Sequence, residues 1–195
     1  MTTPPPKLAT YADLEALGED VRAEVMAGEV VFSPSPLPAH SAVQRSISGL
    51  IGVPFHDDDG RGGPGGWWIL VEMDVALGKH DIVRPDLSGW RRERVPRLAD
   101  TRPVDVAPDW VCEVISPSNA AYDRVRKRAL YARSGIPFYW LIDPRERVLE
   151  ALALRDGAWV EVSVYDDNAS ARIAPFEAIK LEVGRLFLPR EADAR

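Results

Sequence analysis

The stretch Pro108-Asp109-Trp110-Val111-Cys112-Glu113-Val114-Ile115-Ser116-Pro117-Ser118 reads as a short buried strand that breaks at a Ser-Pro-Ser turn. A basic segment with helical character follows, from about Ala120 to Ser134, with Gly135 placed to end it and Pro137 just beyond. Phe138 to Ile142 is then a compact apolar run of strand length. A strand, a helix and a second strand follow in succession, elements of both kinds, as in an α/β (α+β) chain. Within the first strand one acidic side chain, Glu113, stands among Trp110, Val111, Cys112, Val114 and Ile115. A lone buried carboxylate is costly, so Glu113 must be paired, protonated or bound to a metal.

Working outward, the N-terminal residues 1–9 form a Pro-rich flexible tail, and Thr10 with Asp13 has the spacing of a capping box for a short helix through Leu17. Val21 to Phe32 reads as a hairpin turning at Ala27-Gly28. Ser33 to Pro38 forbids regular structure, and Val43, Ile47, Leu50 and Ile51 predict an amphipathic helix over residues 39–53. His56 to Gly66, with three Asp, five Gly and one Pro, is a mobile loop. Alternation from Trp67 to Leu77 predicts one long strand, and Ile82 to Trp90 a second. The second carries Pro85, which marks an edge or an interruption of pairing. Residues 91–107 are a charged linker with room for a short helix. A hairpin over 148–165 turns at Asp156-Gly157, short elements continue to Leu188, and 189–195 is a charged tail. The division is one domain over 10–188 between two tails.

The chain has 195 residues, one cysteine and a net charge of -6. A single Cys112 excludes a disulfide framework and a CxxC zinc cluster. The first residues hold no apolar signal core, and no apolar run reaches the length of a membrane span, so a cytoplasmic, non-membrane protein is expected. Charge is uneven. Residues 84–133 hold 11 Lys/Arg against 7 Asp/Glu, a local +4 suited to a polyanionic partner such as DNA.

Asp86 and Glu113 lie 27 positions apart, each in or at the end of a strand. If those strands are neighbours, two carboxylates meet, and a hard divalent cation relieves their repulsion. Magnesium, or manganese in its place, would leave room for water and a phosphate oxygen. Lys127 on the following helix would point into the same site if that helix folds back. Structural alternatives stand beside each. Glu113 could pair with Arg84 or Arg126, Asp86 could cap the turn after Pro85, and Lys127 could sit on a solvated face. His40 could be structural at a helix start.

The run Arg84-Pro85-Asp86-Leu87, then Glu113-Val114-Ile115-Ser116-Pro117-Ser118, then Asp123, Lys127, Tyr131, Ala132, Gly135-Ile136-Pro137 and Tyr139-Trp140-Leu141-Ile142-Asp143-Pro144, resembles the Uma family of restriction endonucleases. That family is a bacterial branch of the PD-(D/E)XK nuclease superfamily. Glu24 to Val30, Ser33-Pro34 and His40 match its usual opening. The resemblance implies a restriction-endonuclease-like fold, a mixed central sheet flanked by helices, here with extra N- and C-terminal hairpins. It also implies a magnesium-type site for cutting DNA, with Asp86 and Glu113 as metal ligands and catalytic residues. The superfamily lysine would stand where this chain has Ile115, and the family is thought to supply it from the next helix, where Lys127 stands. Ala27 occupies a position where members commonly have Asp, which leaves the roles of Glu24 and Glu29 open. A homodimer is a further implication, since nucleases of this superfamily often pair to cut two strands. The alternative function is a catalytically inactive nucleic-acid-binding or assembly module on the same fold.

Overall fold

A computed structural model describes residues 7–18, 20–57, 63–117 and 120–190; the expectations for the extreme termini and for the middle of the 56–66 loop lie outside them. The core is a six-stranded sheet in the order β10-β9-β8-β7-β6-β3. Its strands are β3 (Trp67–Val71), β6 (Leu87–Arg91), β7 (Trp110–Val114), β8 (Phe138–Asp143), β9 (Val148–Arg155) and β10 (Ala158–Asp166). All neighbours are antiparallel except β7 and β8, which are parallel and therefore need a helical crossover. A second sheet, order β2-β1-β5-β4, is built from β1 (Ala23–Met26), β2 (Glu29–Phe32), β4 (Val75–Gly78) and β5 (Asp81–Val83). The architecture is mixed α+β, a mixed central sheet flanked by few helices, as the sequence implied.

The two long strands expected from the sequence are each two strands. Trp67–Leu77 breaks at Glu72, whose φ of 50° no extended strand allows, and Val71 is exposed rather than buried. Ile82–Trp90 breaks at Arg84-Pro85-Asp86. In both cases the chain leaves one sheet and enters the other, so that Trp67 and Ile69 pack in one core and Val75 and Val83 in a different one. Pro85 therefore marks an interruption of pairing, one of its two expected meanings.

The helix expected over 39–53 is α2 (Pro38–Phe55), after α1 (Tyr11–Glu15). Pro38 begins α2 rather than ending the preceding loop, since a first-turn position needs no N–H donor. Thr10 and Asp13 close the capping box on α1, with the Thr10 N–H 2.8 Å from the Asp13 carboxylate. The Ala27-Gly28 and Asp156-Gly157 turns both have positive φ at both residues, as two-residue hairpins require. Ala9, placed in the tail by the sequence, donates its N–H to Gly28 and receives a 2.7 Å contact from His80. Residues 91–107 hold turns and a single bridge from Val104 to Val75 but no helix. The C-terminal part folds into β11 (Ser170–Ala171), β12 (Leu181–Glu182) and a 3-10 turn, Val183–Leu186.

Two cores result, one on each face of the large sheet. On one face, Val43, Ile47, Ile51 and Phe55 of α2 meet Trp67, Trp110, Cys112 and Trp140. Phe176 is wedged among them, 4.9 Å from Trp110 and 5.0 Å from Trp67 between ring centres. Cys112 is buried here, opposite to Glu113, so it is a small core residue. Gly89 lies under these rings. A Cβ there would stand 3.1 Å from both Ile69 and Trp110 and 3.3 Å from Trp67. Because Phe176 holds the indoles, they cannot retreat. Gly89→Ala should cost about 1–3 kcal/mol, lowering a thermal melting midpoint by about 3–10 °C.

On the other face lie Val111, Ile115, Tyr139, Leu141 and Leu152, covered by Leu130 and Tyr131 and by the small sheet through Met26, Val75 and Val83. The covering helix is a π-helical stretch, Tyr122–Lys127, continued by α3 (Arg128–Arg133). Tyr139 donates to the Asp123 carbonyl at 3.2 Å and Trp159 to the Arg128 carbonyl at 2.7 Å, pinning the helix to the sheet. Gly135, φ 71°, ends it. No helix among the described residues is long and apolar enough to cross a membrane.

Candidate active site

The antiparallel register of β6 and β7 pairs Leu87 with Cys112 and Ser88 with Val111. One step further, Asp86 stands opposite Glu113, on the face that the helix covers. The Asp86 carboxylate caps the end of the ladder by accepting the Val114 N–H at 2.7 Å through Oδ2, while Oδ1 lies 3.2 Å from His40 Nε2. Glu113 Oε1 accepts from Lys127 Nζ at 2.9 Å and from the Tyr131 hydroxyl at 2.5 Å. Neither arginine considered as a partner for Glu113 pairs with it. Arg84 binds Asp74 and Arg126 binds Glu29.

Lys127 does not lie on a solvated face. It is 5% exposed and points into the interior, 3.0 Å from Glu24 and 3.8 Å from Asp123. Spacing four places Asp123, Lys127 and Tyr131 on the same side of the helix. Glu24 comes from β1 of the small sheet. Its Oε1 accepts the Arg84 N–H at 2.6 Å, and its carboxylate faces the Tyr122 hydroxyl, which burial and then Glu24 push up from its ordinary range. Asp86, Glu113 and Lys127 therefore line one cavity of about 320 Å³, together with Glu24, His40 and Asp123. The other residue left open, Glu29, is exposed and pairs with Arg126 outside it.

Four buried carboxylates, Glu24, Asp86, Glu113 and Asp123, line the cavity with Lys127, His40, Arg22 and Arg84, and the ionisation of Glu113 and Asp123 shows the crowding. Burial pushes Glu113 well up, against the pull of Lys127 and with added repulsion from Asp123, Asp86 and Glu24. Burial likewise raises Asp123 from 3.8 to about 6, opposed by Lys127 and aided by Glu24 and Asp86. Burial alone would lower Lys127, but Glu113, Glu24 and Asp123 outweigh it and hold the ammonium well above its ordinary range. For His40 burial lowers and the Asp86 contact raises; the net is a raised value.

Raised values in the folded state mean that the folded protein binds these protons more tightly than the unfolded chain. Stability from Asp123 is therefore present below about pH 4 and lost as pH rises to about 6, and Glu113 and His40 act in the same sense. The metal-free protein should melt at a lower temperature at pH 7 than at pH 5, and Asp123→Asn should flatten that slope. Calorimetric melts of both proteins at the two pH values test this.

Two residues of the cavity, Asp123 and Glu24, and Tyr131 beside it were not assigned from sequence. Tyr131 and Asp123 stood in the recognised motif, and their spacing to Lys127 was the available signal. Glu24 stood in the opening that matches the family, with its role left open, and is an acidic residue inside an apolar strand, Ala23–Met26, which is buried throughout. Part of the basic stretch is neutralised by partners. Arg84, Arg94, Arg124, Arg126 and Arg133 are in ion pairs with Asp74, Asp109, Glu150, Glu29 and Asp81. Among the described residues no three or more His, Cys, Asp or Glu side chains form a closed metal cluster.

A sheet with one parallel pair, a crossover helix bearing the lysine and two carboxylates at adjacent strand ends is the arrangement of restriction-endonuclease-like proteins. The chain belongs to the Uma2 family, whose model, described as "Putative restriction endonuclease", matches residues 8–184. It is also similar to a crystal structure of a putative nuclease belonging to DUF820 from Anabaena variabilis, with a TM-score of 0.73 and 23% identity. The match covers 92% of this chain and 97% of that one, a likeness of fold. Among curated proteins none matches.

Proposed function

We propose that this chain is a cytoplasmic, divalent-metal-dependent endonuclease that hydrolyses DNA phosphodiester bonds. The observation that supports the reading is the meeting of Asp86, Glu113 and Lys127, from three separate elements, in one cavity. The residues suit a hard cation such as Mg2+ or Mn2+. Four carboxylates, Glu24, Asp86, Glu113 and Asp123, line the cavity, while Arg22 and Arg84 among its cations are already engaged by Glu72 and Asp74. Asp86 and Glu113 are the ligands in this reading, with Glu24 nearby.

The chain's own groups divide the work. His40 and the Val114 N–H hold Asp86 in one orientation, and Lys127 and Tyr131 hold Glu113 through a single oxygen, leaving Oε2 for a ligand. The Lys127 ammonium, kept charged by three carboxylates, is placed to orient water and to stabilise charge developing on a phosphate. When bound, the metal supplies a more acidic water and polarises the phosphoryl oxygen. The competing reading is a nucleic-acid-binding module without chemistry. It draws on the lack of a closed metal cluster among the described residues.

The test is cleavage of end-labelled DNA in Mg2+ or Mn2+ with EDTA controls. Ion-dependent scission supports the endonuclease; salt-sensitive DNA retention with no scission in either ion supports the module.

A further inference from the structure

Resting on that nuclease reading, we propose that the strand entering the cavity is unpaired DNA, not an intact duplex. The reacting groups are deep: Glu113 is 3% exposed, Asp123 and Lys127 5%, and Asp86 7%. A scissile phosphate must descend past the walls to reach them. The walls come from three directions: the β1 end, the loop between β2 and α2, and the Ser116-Pro117 turn after β7. Duplex DNA is stiff over about 150 base pairs, and each phosphate is flanked by neighbours on the same rigid rail. Lowering one of them into a recess requires bending or opening the helix. A single strand has no such constraint and can turn one phosphate inward.

The chemistry of the rim points the same way. Pro34, Pro36, Leu37 and Pro117 line the mouth, and Leu37 is 57% exposed. Duplex binding is dominated by cations that reach phosphates on the outside of the helix. The cations lining this cavity are Arg22, Arg84 and Lys127, and each is held by a carboxylate: Glu72, Asp74 and Glu113. Beside Ser33, Ser35 and Ser116, the apolar members of the rim offer contact area to the faces of unstacked bases, which a duplex hides and a single strand presents.

Fluorescence anisotropy separates strand choice from chemistry. A labelled oligonucleotide is titrated as a single strand, as a blunt duplex and as a duplex with an unpaired tail, in Ca2+ and in EDTA. The single strand and the tailed duplex should bind about tenfold more tightly than the blunt duplex. Equal or tighter binding of the blunt duplex, or no binding of any form, overturns the proposal. If the preference is present but Mn2+ yields no scission, strand choice stands and the hydrolytic reading falls. A rim variant adds a second readout. Leu37 occupies the N-cap position of α2, where serine is a favoured residue and adds no charge. Leu37→Ser should therefore preserve the melting temperature while weakening single-strand binding by about fivefold and leaving blunt-duplex binding unchanged; unchanged single-strand binding overturns the role of the rim.

Discussion

Glu113→Gln should lower DNA cleavage by about 10³-fold while leaving the fold intact. The two expectations have one origin. Burial already drives Glu113 toward its neutral form, so a neutral isostere fits the same space without new cost. The amide oxygen can still accept from Lys127 and from Tyr131, which keep their places. What disappears is the negative charge that a divalent cation needs. Single-turnover cleavage, Mn2+ calorimetry and a thermal melt on the same preparation separate these effects. Loss of cleavage and of Mn2+ affinity with an unmoved melting temperature is the expected result. Undiminished cleavage would remove Glu113 from the site.

Lys127→Ala should have the largest effect on stability. The ammonium is the central cation of Glu24, Glu113 and Asp123, all buried. Removing one partner from a buried ionic cluster leaves charge uncompensated and typically costs about 3–5 kcal/mol. For a domain of this size that lowers the melting midpoint by about 6–20 °C. The loss should be greatest near neutral pH and smaller near pH 5, because orphaned carboxylates then take up protons. Millimolar Mn2+ should restore part of the stability, since a divalent ion can replace the missing positive charge. Melts at two pH values with and without Mn2+ check all three statements. A variant as stable as the parent at pH 7 would mean that the cluster holds little charge in the native protein.

Motif and turn chemistry were legible in the sequence because they are local. The β1-β2 and β9-β10 hairpins were marked by Ala27-Gly28 and Asp156-Gly157, and the helix end by Gly135. The sequence placed Asp86 and Glu113 each in or at the end of a strand, and their meeting stayed conditional until the pairing of β6 with β7 supplied it. The sheet count was not legible. Trp67–Leu77 keeps its apolar alternation in sequence while the chain passes from one sheet to the other, so periodicity alone has no means of marking the crossing. The distribution of charge was hidden for a similar reason. The partners Asp74, Asp81, Glu29 and Glu150 come from outside the residues they neutralise or from distant strands, and linear counting leaves their cations looking free. The inward turn of Lys127 depends on Tyr139 and Trp159 holding the helix down, a tertiary fact.

Glu24 rides on the small sheet, whereas Asp86 and Glu113 belong to the ladder of the large one. The two sheets are joined by chain crossings at Glu72–Asp74 and Arg84–Asp86, and their mutual seating is what brings the acidic groups together. Slight breathing between the layers would dismantle the pocket long before either layer melts. Heat inactivation should therefore run ahead of global denaturation, so that activity serves as a more sensitive thermometer of interlayer contact than circular dichroism does.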